Sequence, residues 1–111
     1  MVKKYKVVVT PRAQNAIRRI YDRLCLTESK TIATKVRRAI NDTIKSLKTF
    51  PYSHEAEHLL NDGDHEKFRR ALQWDYRIIY SIDEEEVIVS VVEVLHSAMS
   101  EQMILRKFGK S

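Results

Sequence analysis

YRIIYSIDEEEVIVSVVEVLH, residues 76–96, is the stretch on which the fold turns. Tyr76, Ile78, Tyr80 and Ile82 fall on one side of an alternating pattern, and Arg77, Ile79 and Ser81 fall on the other. A period of two is the signature of a strand, because successive side chains point to opposite faces of a sheet. The acidic run Asp83, Glu84, Glu85, Glu86 then breaks the alternation as a turn does, and residues 87–95 resume it with β-branched side chains. The stretch predicts a β-hairpin. Two residues do not follow from strand formation alone: Arg77 inside the first strand and His96 at the end of the second.

Working outward, residues 67–73 read as a short strand, with Trp74 and Asp75 as the turn into the hairpin, so three strands form a meander. At the other end of the chain residues 4–10 alternate through Tyr5, Val7 and Val9 and predict a first strand. Pro11 ends that strand and suits the start of a helix. Ala13, Ala16, Ile17, Ile20, Tyr21 and Leu24 then recur at helical spacing, with Arg18, Arg19, Asp22 and Arg23 facing out. Thr27 or Ser29 is the expected N-cap of a second helix. Its apolar stripe runs through Ile32, Val36, Ala39, Ile40, Thr43, Ile44 and Leu47, and Pro51 is its expected stop. Residues 52–66 are polar and read as a loop, and residues 97–108 as a last short helix. The order is strand, helix, helix, strand, strand, strand. This is an α+β chain, βααβββ, whose antiparallel meander sheet is packed by an N-terminal helical hairpin.

Length and composition narrow the function. The 111 residues predict a single domain, 1–111, and 43 % hydrophobic content is enough for a core. No apolar run reaches the roughly 20 residues of a membrane helix, so no membrane partner is expected. Nothing at the N-terminus resembles a signal peptide, and the lone Cys25 cannot form an internal disulfide; both favour a cytoplasmic location. The net charge of +5 is unevenly spread. Residues 1–50 hold 13 Lys and Arg against 3 Asp and Glu, net +10, whereas residues 51–111 hold 7 against 12, net −5. Such polarity fits an anionic partner, nucleic acid or acidic protein, and fits equally a pair of solvated helix faces.

Candidate chemistry is sparse. His54-Glu55-Ala56-Glu57-His58 matches the H-E-x-x-H pattern of zinc proteases. It sits in a short polar segment, however, with no scaffold for a catalytic cleft, so a solvated loop or short helical turn is the preferred reading and no metal is assigned beyond adventitious zinc on His54 and His58. With Gly63 and Gly109 the only glycines, there is no phosphate loop, and no cofactor is expected. What remains is a cluster of cations on the meander, Lys67, Arg69, Arg70 and Arg77, together with His96. Arginine forks on a sheet suit phosphate, by charge and by paired hydrogen bonds. The structural alternative is an edge strand kept from aggregating by its charges.

VTPRAQNAIRRIY (residues 9–21) opens the first helix, LKTFP (47–51) closes the second, and FRRALQWDYRIIYSIDEEEVIVSVVEVLH (68–96) is the meander. With these pieces in this order the chain resembles the RelE/ParE superfamily of bacterial toxins, ParE-like members more than RelE-like ones. The resemblance implies the toxin of a type II toxin–antitoxin system, with a small antitoxin as partner. RelE-like members cut mRNA on the ribosome, and ParE-like members poison DNA gyrase. By the resemblance, Arg77 matches an arginine placed near the scissile phosphate, Arg70 falls where such nucleases carry a lysine, and His96 lies where some keep a catalytic histidine. Phe68 replaces a second lysine, and their later arginine and tyrosine would fall near Ser97 and Met103. ParE-like chains follow this histidine with two small residues and Arg-Asp; HSAMS keeps the former and lacks the latter. Three readings therefore stand: a gyrase poison that does no chemistry, a ribosome-dependent endoribonuclease using Arg70, Arg77 and His96, and an inactivated toxin-fold module that only binds an antitoxin or operator DNA. The antitoxin is expected across the sheet and the apolar tail residues Met99, Met103, Ile104 and Phe108.

Overall fold

A computed structural model describes residues 4–53 and 68–96 of the chain. Within them lie β1 (Lys6–Val9), α1 (Pro11–Thr27), α2 (Lys30–Ser46), β2 (Arg69–Gln73), β3 (Tyr76–Asp83) and β4 (Ile88–His96). The expected order and α+β class are what the structure shows. Residue 67, the tail from 97 onward and the His54–His58 motif lie outside the described residues.

Local chemistry sets the helix boundaries. Thr10 caps α1, its hydroxyl accepting from the Ala13 N–H at 3.2 Å, with Pro11 in the first turn where its missing N–H costs nothing. Ser29 rather than Thr27 caps α2, accepting from the Ile32 N–H at 3.1 Å. Each cap contributes about 1 kcal/mol. The apolar stripe of α2 runs through Ala33, Val36, Ile40, Ile44 and Leu47, all buried, while Ile32 sits one position off it and is exposed. The helix ends at Ser46, and residues 47–49 turn before Pro51 is reached. Pro51 therefore does not stop the helix. It is buried, and its carbonyl accepts from the Tyr80 hydroxyl at 2.5 Å. Burial pushes that hydroxyl up to about 12.

The sheet order is β1-β4-β3-β2. The meander β2-β3-β4 is antiparallel as expected. What the alternation could not reveal is the place of β1, which lies parallel to β4, with Val7 opposite Val89 and Val9 opposite Val91. The helical hairpin thus carries the chain from one edge of the sheet to the other. Both helices pack on one face, where Ile78, Tyr80, Val89, Val91 and Val94 meet Ala13, Ile17, Ile40 and Ile44 in one core. Of the two faces read from residues 76–82, the one bearing Tyr76, Ile78 and Tyr80 is therefore the packed one.

The meander contains one irregularity. Ile79 pairs with Glu93 and Tyr80 with Val91, so Val92 has no opposite residue and β4 carries a bulge there. Up to Val91 the odd positions of β4 face the helices. After the bulge the even positions do, so Val94 joins the core while Glu93 and Leu95 turn to the far face. No helix among the described residues is long and apolar enough to cross a membrane.

Candidate functional site

The far face of the sheet gathers the cations. Residues directly opposite in an antiparallel pair share a face. Arg70 lies opposite Ile79, and Ile79 opposite Glu93, forming one row; Leu72, Arg77 and Leu95 form the next. Arg70 and Glu93 are thus two strands apart, about 10 Å between Cα atoms, a span that long side chains cover. Neither arginine is a freely solvated edge charge. Both are half-buried, and Nε of Arg70 and Nε and Nη1 of Arg77 are withdrawn from water.

Glu93 is the fixed point of this face. Its side chain is fully buried, Oε2 accepts from Arg12 Nε at 3.0 Å, and Oε1 accepts from the Val94 N–H at 3.1 Å. Arg12 comes from the first turn of α1, which begins beside the bulge because the Thr10 N–H donates to the Val91 carbonyl at 3.0 Å. Neither residue was singled out in the sequence. The available signal was a lone acid in an otherwise apolar run, VVEVL, and the bulge decides which way it points.

Arg69 goes elsewhere. It lies opposite Tyr80, on the helix side at the edge of the sheet, and its guanidinium sits 4.8 Å from the centre of the Tyr52 ring. The Tyr52 hydroxyl donates to Glu84, which also accepts from the Tyr5 hydroxyl at 2.8 Å. The bond to Glu84 raises the Tyr52 hydroxyl to about 12, with burial adding to it. Arg69 thus belongs to a clip joining the edge strand, the segment after α2, the start of β1 and the acidic β3–β4 turn.

His96 is separated from the arginines by the sheet itself. It pairs with Tyr76, and the two rings meet edge to face with centroids 5.3 Å apart. The histidine is exposed at the end of β4 and shares the helix side with Tyr76, whereas Arg70 and Arg77 occupy the opposite side. Arg70 and Arg77 are brought to one face; His96, the group suited to proton transfer, is not brought to them. Lys67, Met99, Met103, Ile104 and Phe108 lie outside the described residues.

A model of the family described as the ParE toxin of the type II toxin–antitoxin system parDE matches residues 7–101. The chain belongs to the ParE toxin family. No curated protein matches the sequence. Among solved structures, a ParE-family fold recurs in the chromosomal ParDE toxin–antitoxin system from P. aeruginosa, with a TM-score of 0.67 at 12 % identity, covering 85 % of this chain and 97 % of that one. The RelBE2 toxin–antitoxin complex from Mycobacterium tuberculosis gives 0.60 at 19 % identity over 84 % and 98 % of the two chains. The archaeal RelE–RelB complex from Pyrococcus horikoshii gives 0.59 at 15 % identity over 87 % and 99 %. At these identities the likeness to solved structures is one of fold. The ParE-family assignment makes this a type II toxin.

Proposed function

We propose that this ParE-family toxin arrests growth by binding and poisoning DNA gyrase, without itself doing chemistry, and that a cognate antitoxin neutralises it. The observation that supports this reading is the placement of Arg77 and His96 on opposite faces of the sheet. Cleavage of RNA needs a base for the 2′-hydroxyl, an acid for the leaving oxygen and cations on the same phosphate, all within hydrogen-bond reach at once. Arg70 and Arg77 satisfy the cation requirement, and that shared face is what favours the second reading, a ribosome-dependent endoribonuclease. The carboxylate on that face, Glu93, is fully buried and committed to Arg12 and the Val94 N–H, and His96 lies on the other side of the sheet. In the preferred reading the arginine face contacts the target, and His96 is a strand-end residue held by Tyr76. The antitoxin covers part of the toxin, including the tail positions Met99, Met103, Ile104 and Phe108.

Induced expression followed by two parallel measurements tests this: accumulation of gyrase–DNA cleavage complexes, and mapping of mRNA ends. The expectation is cleavage complexes without new codon-aligned RNA ends. Arg77→Ala should reduce toxicity while the protein stays folded, and His96→Ala should have the smaller effect. New RNA ends that vanish in both variants, with cleavage reduced about 10²-fold or more in each, would replace the gyrase reading with the nuclease one.

A further inference from the structure

The outer surface of α2 holds a feature that neither the arginine face nor the core explains. A groove of about 530 Å³ runs along it, lined by Lys30, Thr31, Thr34, Lys35 and Arg38. A second groove of about 220 Å³ shares Thr34 and Arg38 and continues through Arg37, Asn41, Asp42 and Lys45. These positions follow one another at intervals of three and four, so they form a single stripe down one side of the helix. Arg37 lies over the Tyr21 ring at 4.2 Å and ties α2 to α1. That leaves Lys30, Lys35, Arg38 and Lys45 as the cations of the stripe, with Asp42 the one carboxylate among the described lining residues.

We propose that this stripe binds the sugar–phosphate backbone of a nucleic-acid duplex. Two observations favour that occupant over an acidic protein segment, beyond the excess of cations that nucleic-acid interfaces require. First, hydroxyl and amide side chains, Thr31, Thr34 and Asn41, alternate with the cations, and these are the residue types that accompany Lys and Arg on phosphates. Second, the stripe is straight. From Lys30 to Lys45 it spans about 22 Å at 1.5 Å per residue, roughly the length of six base pairs. The stripe lies on a different element from Arg70 and Arg77, so the inference stands apart from the choice of toxic target.

The experiment measures binding of the full chain to a labelled 20-base-pair duplex of arbitrary sequence between 50 and 200 mM salt. Four phosphate contacts predict a slope of log K against log salt of about −3.6, equivalent to a loss of affinity of about 10²-fold over that range. Lys35→Gln/Arg38→Gln/Lys45→Gln should bring the slope to about −0.9, and the single variant Lys35→Gln, which is safe for folding, should lower its magnitude by about 0.9. Arg18→Gln/Arg19→Gln on α1 should leave the slope unchanged. An unchanged slope in the triple and single variants overturns the proposal. So does an equal loss in the α1 variant, which would mean diffuse attraction over the whole basic half. Displacement of the duplex by polyglutamate at the same charge concentration overturns it in favour of an acidic protein partner.

Discussion

Arg12 and Glu93 offer a quantitative test of how the far face is built. Glu93 is fully buried, while the Arg12 side chain is half-exposed, 48 % accessible. Two unit charges about 4 Å apart interact by about 4 kcal/mol at an effective dielectric of 20, and exposure of the Arg12 side screens part of that. A charge-assisted hydrogen bond contributes about 1.5–3 kcal/mol net. Arg12→Ala should therefore cost about 2 kcal/mol, less than a wholly buried pair, because the Val94 N–H still holds Oε1. One opposing effect is built in. Arg12 lies in the first turn of α1, which has no acidic residue, and removing a cation from the positive end of a helix returns a few tenths of a kcal/mol. That contribution is common to the backgrounds with and without Glu93, so a double-mutant cycle with Glu93→Gln cancels it. Urea unfolding of the four proteins supplies the numbers. With an m-value of about 1–1.5 kcal/mol/M, Arg12→Ala moves the midpoint down by 1–2 M, and the expected coupling energy is about 1–2 kcal/mol. A coupling below about 0.5 kcal/mol is the value of an exposed surface pair, and it would refute the claim that this ion pair anchors α1 to the bulged strand.

The remaining expectations concern the core, a turn and alkaline pH. Ile40, wholly buried at the centre of the α2 stripe, should lose about 2–5 kcal/mol of stability on replacement by Ala, read by urea or thermal unfolding. Trp74 holds φ at 53° in the two-residue β2–β3 turn, a left-handed position that glycine fills without strain, so Trp74→Gly should raise stability by about 1 kcal/mol; a lower melting temperature would show that the indole makes contacts worth more than the strain. The Tyr80 hydroxyl is raised from 10.0 to about 12, so the fold favours its neutral form. Its contribution, about 2–3 kcal/mol, is fully present below pH ~10 and is lost as pH rises through ~12. Tyr80→Phe should flatten the alkaline loss of stability between those values, and an unchanged profile would assign that loss to other groups.

Much of this protein was legible in the chain. Alternation in residues 76–82, the acidic turn and the β-branched run specify the hairpin, because a period of two cannot bury one face of a helix. The caps at Thr10 and Ser29 and the 3.6-residue stripes specify the helical hairpin just as directly. The charge excess of residues 1–50 was visible too, and helical spacing already put Lys35, Arg37, Arg38 and Lys45 on the outer face of α2. Tertiary structure decided three things that periodicity does not contain. It placed β1 parallel to β4, since which strands meet is a matter of long-range packing. It supplied the Tyr52–Glu84 clip as the partner of Arg69, which strand alternation had already set on the opposite face from Arg70. Above all it inserted Val92 as a bulge. Had the alternation of β4 continued unbroken from Val89 and Val91, Glu93 would point into the core and His96 would lie with Arg77 on the far face. One unpaired residue reverses every side chain beyond it, sending the carboxylate to Arg12 and the histidine to Tyr76. A strand tolerates such an insertion wherever the two resulting faces each find their partners, and those partners lie on elements distant in sequence.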